Sequence, residues 1–462
     1  MSQRSTGPRP KADSPGWILG GFGLGAAFVS SFGQTFFIGL FGIKLQAAHD
    51  LTPSTLGALY GAATLVSGAL MFWCGELADR VRLGRAVALA GALLAAGCTL
   101  VSVAPGVFGL ALAFLLLRFG GQGLMSHLAL VTAARATATM RGRSVAIAGL
   151  GFIIGQAVWP AIVSVAAKVA NWQAIWLAAA ALVAFVAIPA LRIAARHCET
   201  GVKEAQAGPA RHDADLRRPG LLSEPRFLSA LGLVLVPPFV VTAVFFHLSS
   251  LAEAASWSSG TVASGFVVFA LAQLAALAAA GRWIDRMGAS SLLRVHLLPL
   301  ALGTLGIAFA GSDGYAWSIF AALGLTSGAN GVIGGALWAE IFGTRQVGMV
   351  RGVYAAFAVA ATGVSPYLLG EALARSASLV WLGGACAAYC MLAPLVLVRY
   401  IRRCAARDGE RFAQAQGVAR EGPICRRQGD DHRFRGTVLP GNTLRRTGPS
   451  TPNRAFARRR GP

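Results

Sequence analysis

Charged side chains are scarce in this chain. They make up 13% of its 462 residues, and only 19 residues are acidic, whereas a soluble domain carries about 25% charged residues. A soluble chain of this length would form about two or three domains, each with a polar surface. The low charge therefore excludes an ordinary set of soluble domains. Hydrophobic residues make up 55% of the chain and lie in long uncharged runs between short charged clusters, which is typical of a protein that crosses a membrane many times.

Cysteine is also sparse, and its spacing indicates no particular chemistry. The seven cysteines form no Cys-x-x-Cys pair and no Cys/His cluster at metal-binding spacing, so neither a disulfide framework nor a metal site is indicated. Cys386 and Cys390, four residues apart in an apolar run, are interpreted as packing residues. The chain has no Walker phosphate-binding loop, and the glycine-rich stretch Gly20–Gly25 has no strand before it. We therefore expect no cofactor, no metal, no enzymatic reaction and no direct use of ATP.

The uncharged runs have the length of membrane-spanning helices. A spanning helix needs about 20 apolar residues, because the hydrocarbon core is about 30 Å thick and each residue adds about 1.5 Å. Twelve runs are bounded by charges or by Gly/Pro breaks, at 17–42, 54–75, 86–104, 108–132, 144–167, 172–191, 227–251, 258–281, 295–311, 315–339, 352–370 and 376–398. The sequence thus predicts an all-α membrane protein with twelve transmembrane helices.

The basic residues orient these spans. Of the 41 Lys and Arg residues, only Lys44, Lys168 and Arg375 fall in the gaps on one side of the predicted bundle. The others, apart from Arg118 within a span, lie on the opposite side, which the positive-inside rule assigns to the cytoplasm. We therefore expect both termini, including the polar segment 1–15, to be cytoplasmic.

The segment 401–462 accounts for much of the positive charge. It holds 15 arginines against five acids and is rich in Gly, Pro and Gln. We interpret it as a disordered cytoplasmic tail that is drawn to anionic membrane lipids. Nucleic-acid binding is not expected, because no aromatic interleaving or folded module accompanies the charge.

Two short segments repeat across the chain. Gly75, Asp79 and Arg80 occur in "GELADRVRLGR" after the second span, and Gly281, Asp285 and Arg286 occur in "GRWIDRMGAS" after the eighth, 206 residues later. The repeat predicts two six-helix halves in parallel orientation, 16–195 and 227–400, joined by a cytoplasmic linker at 196–226. These six residues either form a charge latch that breaks when the conformation changes or simply mark helix ends.

At these residues the chain resembles the major facilitator superfamily, whose signature in this loop is Gly-x-x-x-Asp-Arg-x-Gly-x-Arg. The resemblance covers about residues 16–400. Gly75, Asp79 and Arg80 match the signature, but the second glycine, Gly84, comes two positions late. The resemblance implies a fold of two pseudo-symmetric six-helix bundles around a central cavity. Other stretches of the chain are similar in sequence to bacterial carriers near the monocarboxylate and oxalate–formate branches of this superfamily.

Arg118 stands alone in the fourth span. No charged residue occurs between Ala86 and Leu117, and none follows until Arg135. A charge at the centre of a spanning helix costs about 2.5–3.5 kcal/mol or more, so Arg118 should face the bundle interior. Gln122, one turn later, would share that face. The pair resembles the family's fourth-helix arginine and glutamine–glycine motif, with one extra residue between them.

Two uses of Arg118 remain open from the sequence. It could clamp an anionic substrate through paired N–H groups, or it could pair permanently with a carboxylate or with carbonyl groups of another helix. Few acids lie within the spans, which favours the substrate. On a regular α-helix His127 would point away from Arg118.

The resemblance implies three further residues at the substrate site, because the first, fourth, seventh and tenth spans line the cavity in this family. They are Gln34, His247 and Asn330. His247 could carry a coupling proton, or it could be an ordinary interfacial histidine. Pro237–Pro238 should kink the seventh span.

These observations predict a monomeric secondary active transporter of the bacterial inner membrane. It would move a small solute by alternating access, and the best substrate is an organic anion of the monocarboxylate kind, coupled to a proton. Drug efflux and a transporter-shaped membrane sensor remain the alternatives.

Overall fold

The computed structural model describes residues 14–74, 81–137, 139–202, 218–308, 313–343 and 346–415. These residues form helices and turns and contain no strand. In the first half of the chain the helices are Ser14–Val29, Ser30–Gly33 (a 3-10 turn), Thr35–Gly39, Gly42–His49, Pro53–Cys74, Leu83–Val103, Gly106–Leu117, Arg118–Met125 (π), Ser126–Ala134, Arg141–Ala166, Trp172–Ala181, Leu182–Ala187 (π) and Ile188–Val202.

The second half repeats this plan. A short helix lies between the halves, and the spans that follow are broken in different places. The helices are Arg218–Leu222, Pro225–Val234, Val236–Phe246, Leu248–Ala254, Ser259–Met287, Ala289–Leu292, Leu298–Ala308, Asp313–Phe342, Val347–Ala374 and Leu379–Ala415.

The spans lie where the sequence predicts them. Among the described residues, eleven helices are long and apolar enough to cross a membrane. The one remaining span is the ninth, which is predicted at 295–311. Its helix, Leu298–Ala308, is described up to residue 308. The all-α prediction and the twelve-helix fold are confirmed.

Two helices continue beyond their predicted ends. The sixth span runs on to Val202, into the predicted linker, and the twelfth runs on to Ala415, into the predicted tail. Both extensions contain several Ala and Arg residues, which have high helix propensity. The helices up to Asp408 belong to one compact unit, and residues 416–462 lie outside the described part.

The first and seventh spans are interrupted. The first changes direction at Gln34, whose extended backbone (φ −84°, ψ 151°) separates the turn Ser30–Gly33 from the helix Thr35–Gly39. The seventh is interrupted at Leu235, before the Pro237–Pro238 pair, and again at His247. Proline lacks an N–H, so the kink that this pair predicts has a direct cause. Gln34 has no such local cause.

The two halves contact each other at the end of the bundle that contains Pro53 and Gly370. The second and eleventh spans approach so closely there that a Cβ on Gly57 or on Gly370 would lie 2.5 Å from the carbonyl oxygen of Pro366 or of Pro53, respectively. Gly39 of the first span similarly touches the backbone of Phe245 in the seventh. Small residues permit such backbone contacts within a membrane. This end of the molecule is therefore closed.

Of the two duplicated segments, the second copy lies within the described residues. Gly75, Asp79 and Arg80 lie outside the described residues. Gly281 is half-buried on the eighth span, while Asp285 and Arg286 are exposed near its end at Met287.

A different carboxylate binds at this end of the eighth span. Glu340, from the last turn of the tenth span, accepts hydrogen bonds from the backbone N–H groups of Ala289 and Ser290 and from the Ser290 hydroxyl. It therefore ties the tenth span to the turn that precedes the ninth.

Candidate functional site

The break in the first span leaves a backbone carbonyl near the centre of the bundle. Gln34 has left the helical conformation, so the carbonyl of Gly33 is not part of a continuous helical ladder. An unpaired carbonyl in this environment costs several kcal/mol. Gly33 also packs against the fourth span, where a Cβ would collide with the carbonyl oxygen of Leu117 and lie 2.8 Å from the Cα of Gly121. The break is thus held directly against the fourth span.

The fourth span is irregular at the same level. Residues Arg118–Met125 form a π-helix between two α-helical segments. A π-turn bonds i to i+5, so it contains one more residue than an α-turn, and such turns are frequent at functional sites. The additional residue of the π-turn corresponds to the extra residue between Arg118 and Gln122, by which this sequence differs from the family motif.

The Arg118 side chain fills the gap at the break. It is only 2% exposed. Its Nη1 donates to the Gly33 carbonyl at 3.2 Å and its Nε donates to the Thr64 hydroxyl at 3.0 Å. The guanidinium carbon lies 4.9 Å from the ring centre of Tyr60, within cation–π range. Both partner groups are neutral, so Arg118 is held in place without losing its net charge.

No carboxylate pairs with this guanidinium in the part of the chain that the structure describes. The ion pairs there join Glu224 to Arg226 and Glu371 to Arg375, both at helix ends. A guanidinium has five N–H donors, and the contacts to Gly33 and Thr64 use two of them. Arg118 can therefore still bind a carboxylate through its remaining donors.

A polar cavity of about 410 Å³ lies beside the break, and we call it the amide cavity. It is lined by Ser31, Gln34, Phe36, Gln122, Ser126, Phe152, Gln156 and Gln273. Gln34 spans part of it, because its Nε2 donates to the Ser126 hydroxyl at 3.3 Å. The first, fourth and fifth spans contribute seven of these residues, and the eighth span contributes Gln273.

A larger cavity of about 1020 Å³ adjoins it between the second, fourth and eleventh spans. Gln122 and Ser126 line both cavities, and Arg118 lines the larger one. Trp73 and Gly352, near the ends of their spans, also line it. The larger cavity therefore extends from Arg118 toward the end of the bundle that contains Trp73 and Gly352.

His127 also lines the larger cavity. The α-helical geometry placed it opposite Arg118, and this expectation is wrong. The additional residue in the π-turn changes the phase of the helix, so the nine positions between the two residues no longer correspond to half a turn.

His247 and Asn330 lie apart from these two cavities. The Nε2 of His247 is hydrogen-bonded to the carbonyl oxygen of Pro366 at 2.8 Å, which links the break in the seventh span to the eleventh span. Asn330 donates from Nδ2 to the carbonyl of Val234 at 3.2 Å, beside the other break in the seventh span. Of the five predicted substrate residues, the structure brings together Arg118, Gln122 and Gln34.

The sequence matches one family of known proteins. The model of the Major Facilitator Superfamily matches residues 23–323. The chain belongs to the major facilitator superfamily. No curated protein matches it in sequence.

Solved structures of this superfamily share its fold. A POT family transporter in complex with 5-aminolevulinic acid has a TM-score of 0.64 at 12% identity, covering 87% of this chain and 98% of its own. A D-xylose–proton symporter has a TM-score of 0.58 at 18% identity, covering 83% and 96%. A bacterial homologue of the human lysosomal transporter Spinster, inward-facing and unoccupied, has a TM-score of 0.54 at 15% identity, covering 87% and 96%.

Membership of the major facilitator superfamily identifies the chain as a multi-pass membrane transporter for small molecules, and not as an enzyme. The position of the described cavities agrees with the superfamily fold, because substrate sites in such transporters lie between the two halves. Here Gln273 comes from the second half, whereas Gln34 and Gln122 come from the first.

Four polar residues of the amide cavity were not predicted from the sequence. They are Ser31, Ser126, Gln156 and Gln273. A search for uncharged amides within the predicted spans would have found the two glutamines. The serines carry no such signal, because a hydroxyl on a spanning helix can bond its own backbone.

Proposed function

We propose that this transporter moves a small organic anion, together with a proton, across the bacterial inner membrane by alternating access. The observation that carries the proposal is Arg118, a buried guanidinium on the wall of the larger cavity with no carboxylate partner among the described residues. A charge in this environment costs several kcal/mol unless it is paired. An anionic substrate would supply the missing charge each time that it binds.

The geometry around Arg118 suits a carboxylate. Thr64 and Gly33 fix the guanidinium in one orientation through Nε and Nη1, so its entropy is already lost before the substrate arrives. An arginine fork binds a carboxylate through paired, charge-assisted hydrogen bonds. Gln122 and Ser126 on the same wall can bind the rest of a small polar molecule.

The contact between the halves supports alternating access. The end that contains Pro53 and Gly370 is closed by backbone contacts such as that of Gly39 with Phe245, and the larger cavity extends toward the opposite end. With both termini in the cytoplasm, this is a state open to the inside. The halves 16–195 and 227–400 would rock about the site, the linker 196–226 would join them, and the duplicated Gly–Asp–Arg segments would act as the latch.

His247 is the proposed proton site. Its ring is buried, one nitrogen bonds Pro366 and the other has no hydrogen-bond partner among the described residues. The ring lies where the seventh span breaks and meets the eleventh. A proton there would alter a contact between two moving spans while leaving the anion site intact. The transporter would act as a monomer, with its tail 401–462 bound to anionic lipid rather than to nucleic acid.

Uptake into proteoliposomes tests the anion proposal. We expect Arg118→Ala to abolish the uptake of organic anions and to leave insertion and the amount of monodisperse protein near normal. The control is Arg375→Ala, which removes an exposed arginine at a helix end and should keep full uptake. Arg118→Lys keeps a positive charge but loses the fork, so partial uptake is expected.

Three other results would contradict the proposal. Full anion uptake by Arg118→Ala would show that Arg118 does not bind the substrate. Ligand binding without accumulation inside the vesicles would indicate a sensor. Export of lipophilic cations that is unaffected by Arg118→Ala would indicate drug efflux.

A further inference from the structure

The amide cavity contains no charged side chain among its described lining residues. Its polar surface comes from four glutamines, Gln34, Gln122, Gln156 and Gln273, and from two serines. Four amides around one small space are unusual in a membrane-spanning bundle, where most side chains are apolar. The cavity is therefore built to bind groups that are polar but uncharged.

The hydrogen-bonding capacity of these amides is largely unused by the protein. The Oε1 atoms of Gln122, Gln156 and Gln273 and the hydroxyl of Ser31 are buried and make no hydrogen bond to the described residues. Gln34 is the exception, since it donates to Ser126. Each buried polar atom that stays unpaired costs a substantial part of the folding free energy. Four residues that carry such an atom line this one cavity, which indicates a ligand that bonds to the amide groups among them.

The chemistry of an amide selects hydroxyl groups. A glutamine side chain has one acceptor oxygen and two N–H donors, and a hydroxyl can both donate and accept. The match holds whichever way each amide is turned. A hydrocarbon chain would leave the amides unpaired, and an ammonium group would be buried without a carboxylate to balance it. Neither is as well suited to this cavity as a row of hydroxyls.

The amide cavity adjoins the anion site. Gln122 and Ser126 line both the amide cavity and the larger cavity that Arg118 lines. A small molecule that extends past Gln122 and Ser126 would place a charged end against Arg118 and an uncharged end among the amides. Gln273 is the lining residue from the second half, so a ligand that reaches it would contact both halves.

We propose that the substrate is a polyhydroxylated carboxylate, whose carboxylate binds Arg118 and whose hydroxyls bind Gln122, Gln156 and Gln273. This inference rests on the proposed anion function and makes it narrower. It replaces a simple monocarboxylate, which offers nothing to the amides, by an anion whose chain carries several hydroxyls. Gln156 and Gln273 then determine specificity for hydroxylated over plain acids.

Thermal stability of the purified full-length protein in detergent tests this inference with matched probes. The probes are gluconate, hexanoate and glucitol, together with threonate, butanoate and threitol. Each set contains a hydroxylated acid, the plain acid of equal length and the corresponding neutral polyol. A ligand that binds the folded state raises the unfolding temperature in a concentration-dependent way, from which its affinity follows.

We expect a hydroxylated acid to bind more tightly than its plain acid and its polyol. Gln273→Leu and Gln156→Leu should each weaken that binding about tenfold and leave the weaker binding of the plain acid unchanged. The control is Gln173→Leu, because the contact that Gln173 makes uses its backbone carbonyl, which accepts from Ser102. It should behave like the unsubstituted protein.

The outcomes separate this inference from the function on which it rests. If plain acids bind as tightly as hydroxylated acids and the Leu variants do not discriminate, hydroxyl recognition is wrong while anion transport stands. If polyols bind as tightly as the acids and Arg118→Gln has no effect, the anion function itself is wrong. Binding of none of the six probes would overturn the inference.

Discussion

Arg118 combines a structural contact with the proposed anion role, which the sequence presented as alternatives. Its Nη1 donates to the Gly33 carbonyl, and its side chain still lines the larger cavity. The two roles are compatible because a guanidinium has donors on several edges. The structural contact also holds the fork in position, so the residue that stabilises the broken helix is the one that can bind an anion.

The site residues that could be predicted from the sequence are those whose side chains cost the most free energy to bury within a membrane. Arg118 and Gln122 were assigned to the interior because a lipid-facing arginine is expensive, and the structure places both on cavity walls. Gln156 and Gln273 have a smaller cost and gave no comparable signal. His247 was assigned to the cavity by its span, but its partner is the Pro366 carbonyl, a contact that depends on how two distant helices meet.

His247→Gln should separate proton coupling from anion binding. We expect the variant to lose the accumulation of anion that a pH gradient drives, because glutamine cannot take up a proton. Exchange of anion across the membrane without a gradient should continue, since His247 lines neither cavity. The measurement is uptake with the outside made more acidic, compared with counterflow at equal pH.

The matched control is His49→Gln, at the end of the helix Gly42–His49. It should keep both activities. Gradient-driven accumulation that survives in His247→Gln would show that another group carries the proton.

At the scale of the helices, two irregular turns meet at one point. The extended Gln34 interrupts the first span, and the π-turn Arg118–Met125 widens the fourth where Gly33 packs against it. Neither feature follows from local sequence preference, because Gln34 is not a helix breaker and the π-turn is recognisable only by comparison with a family motif. Hydrophobic length predicts where a spanning helix lies but not where it departs from α geometry. That limit caused the wrong placement of His127.

A pair of glycine substitutions in the first span tests whether this meeting point is needed. Gly33→Ala should destabilise the protein by about 1–3 kcal/mol, because the new Cβ would collide with the backbone of Leu117 and Gly121, which cannot move independently. Gly21→Ala should have an effect of less than about 1 kcal/mol, because nothing lies within 4 Å of its Cβ position. The measurement is the unfolding temperature of each purified variant, and equal effects would contradict the packing argument.

At the scale of the whole molecule, the twelve spans were predictable and the closed end was not. The scarcity of charge and the length of the apolar runs predict the number of spans. The distribution of the basic residues predicts which ends of the spans face the cytoplasm. Contact between the halves depends instead on glycines such as Gly39 and Gly57 meeting backbone from remote parts of the chain. A glycine in a single sequence does not indicate which helix it will touch, so the conformation could not be predicted.

A cross-link across the closed end tests whether that end must open. A Cβ on Gly42 would lie 2.7 Å from the Ser249 hydroxyl, so cysteines at these two positions meet the Cβ spacing of a disulfide, about 3.5–4.5 Å. We expect the double variant Gly42→Cys, Ser249→Cys to transport when reduced and to stop when oxidised, because a carrier locked shut at one end cannot release or receive substrate there. Each single cysteine variant should be unaffected by the oxidant, which controls for the seven native cysteines. If the oxidised double variant, with its cross-link verified by mass spectrometry, transports at the reduced rate, this end does not gate the substrate and the rocking of the halves about Arg118 and Gln273 is wrong.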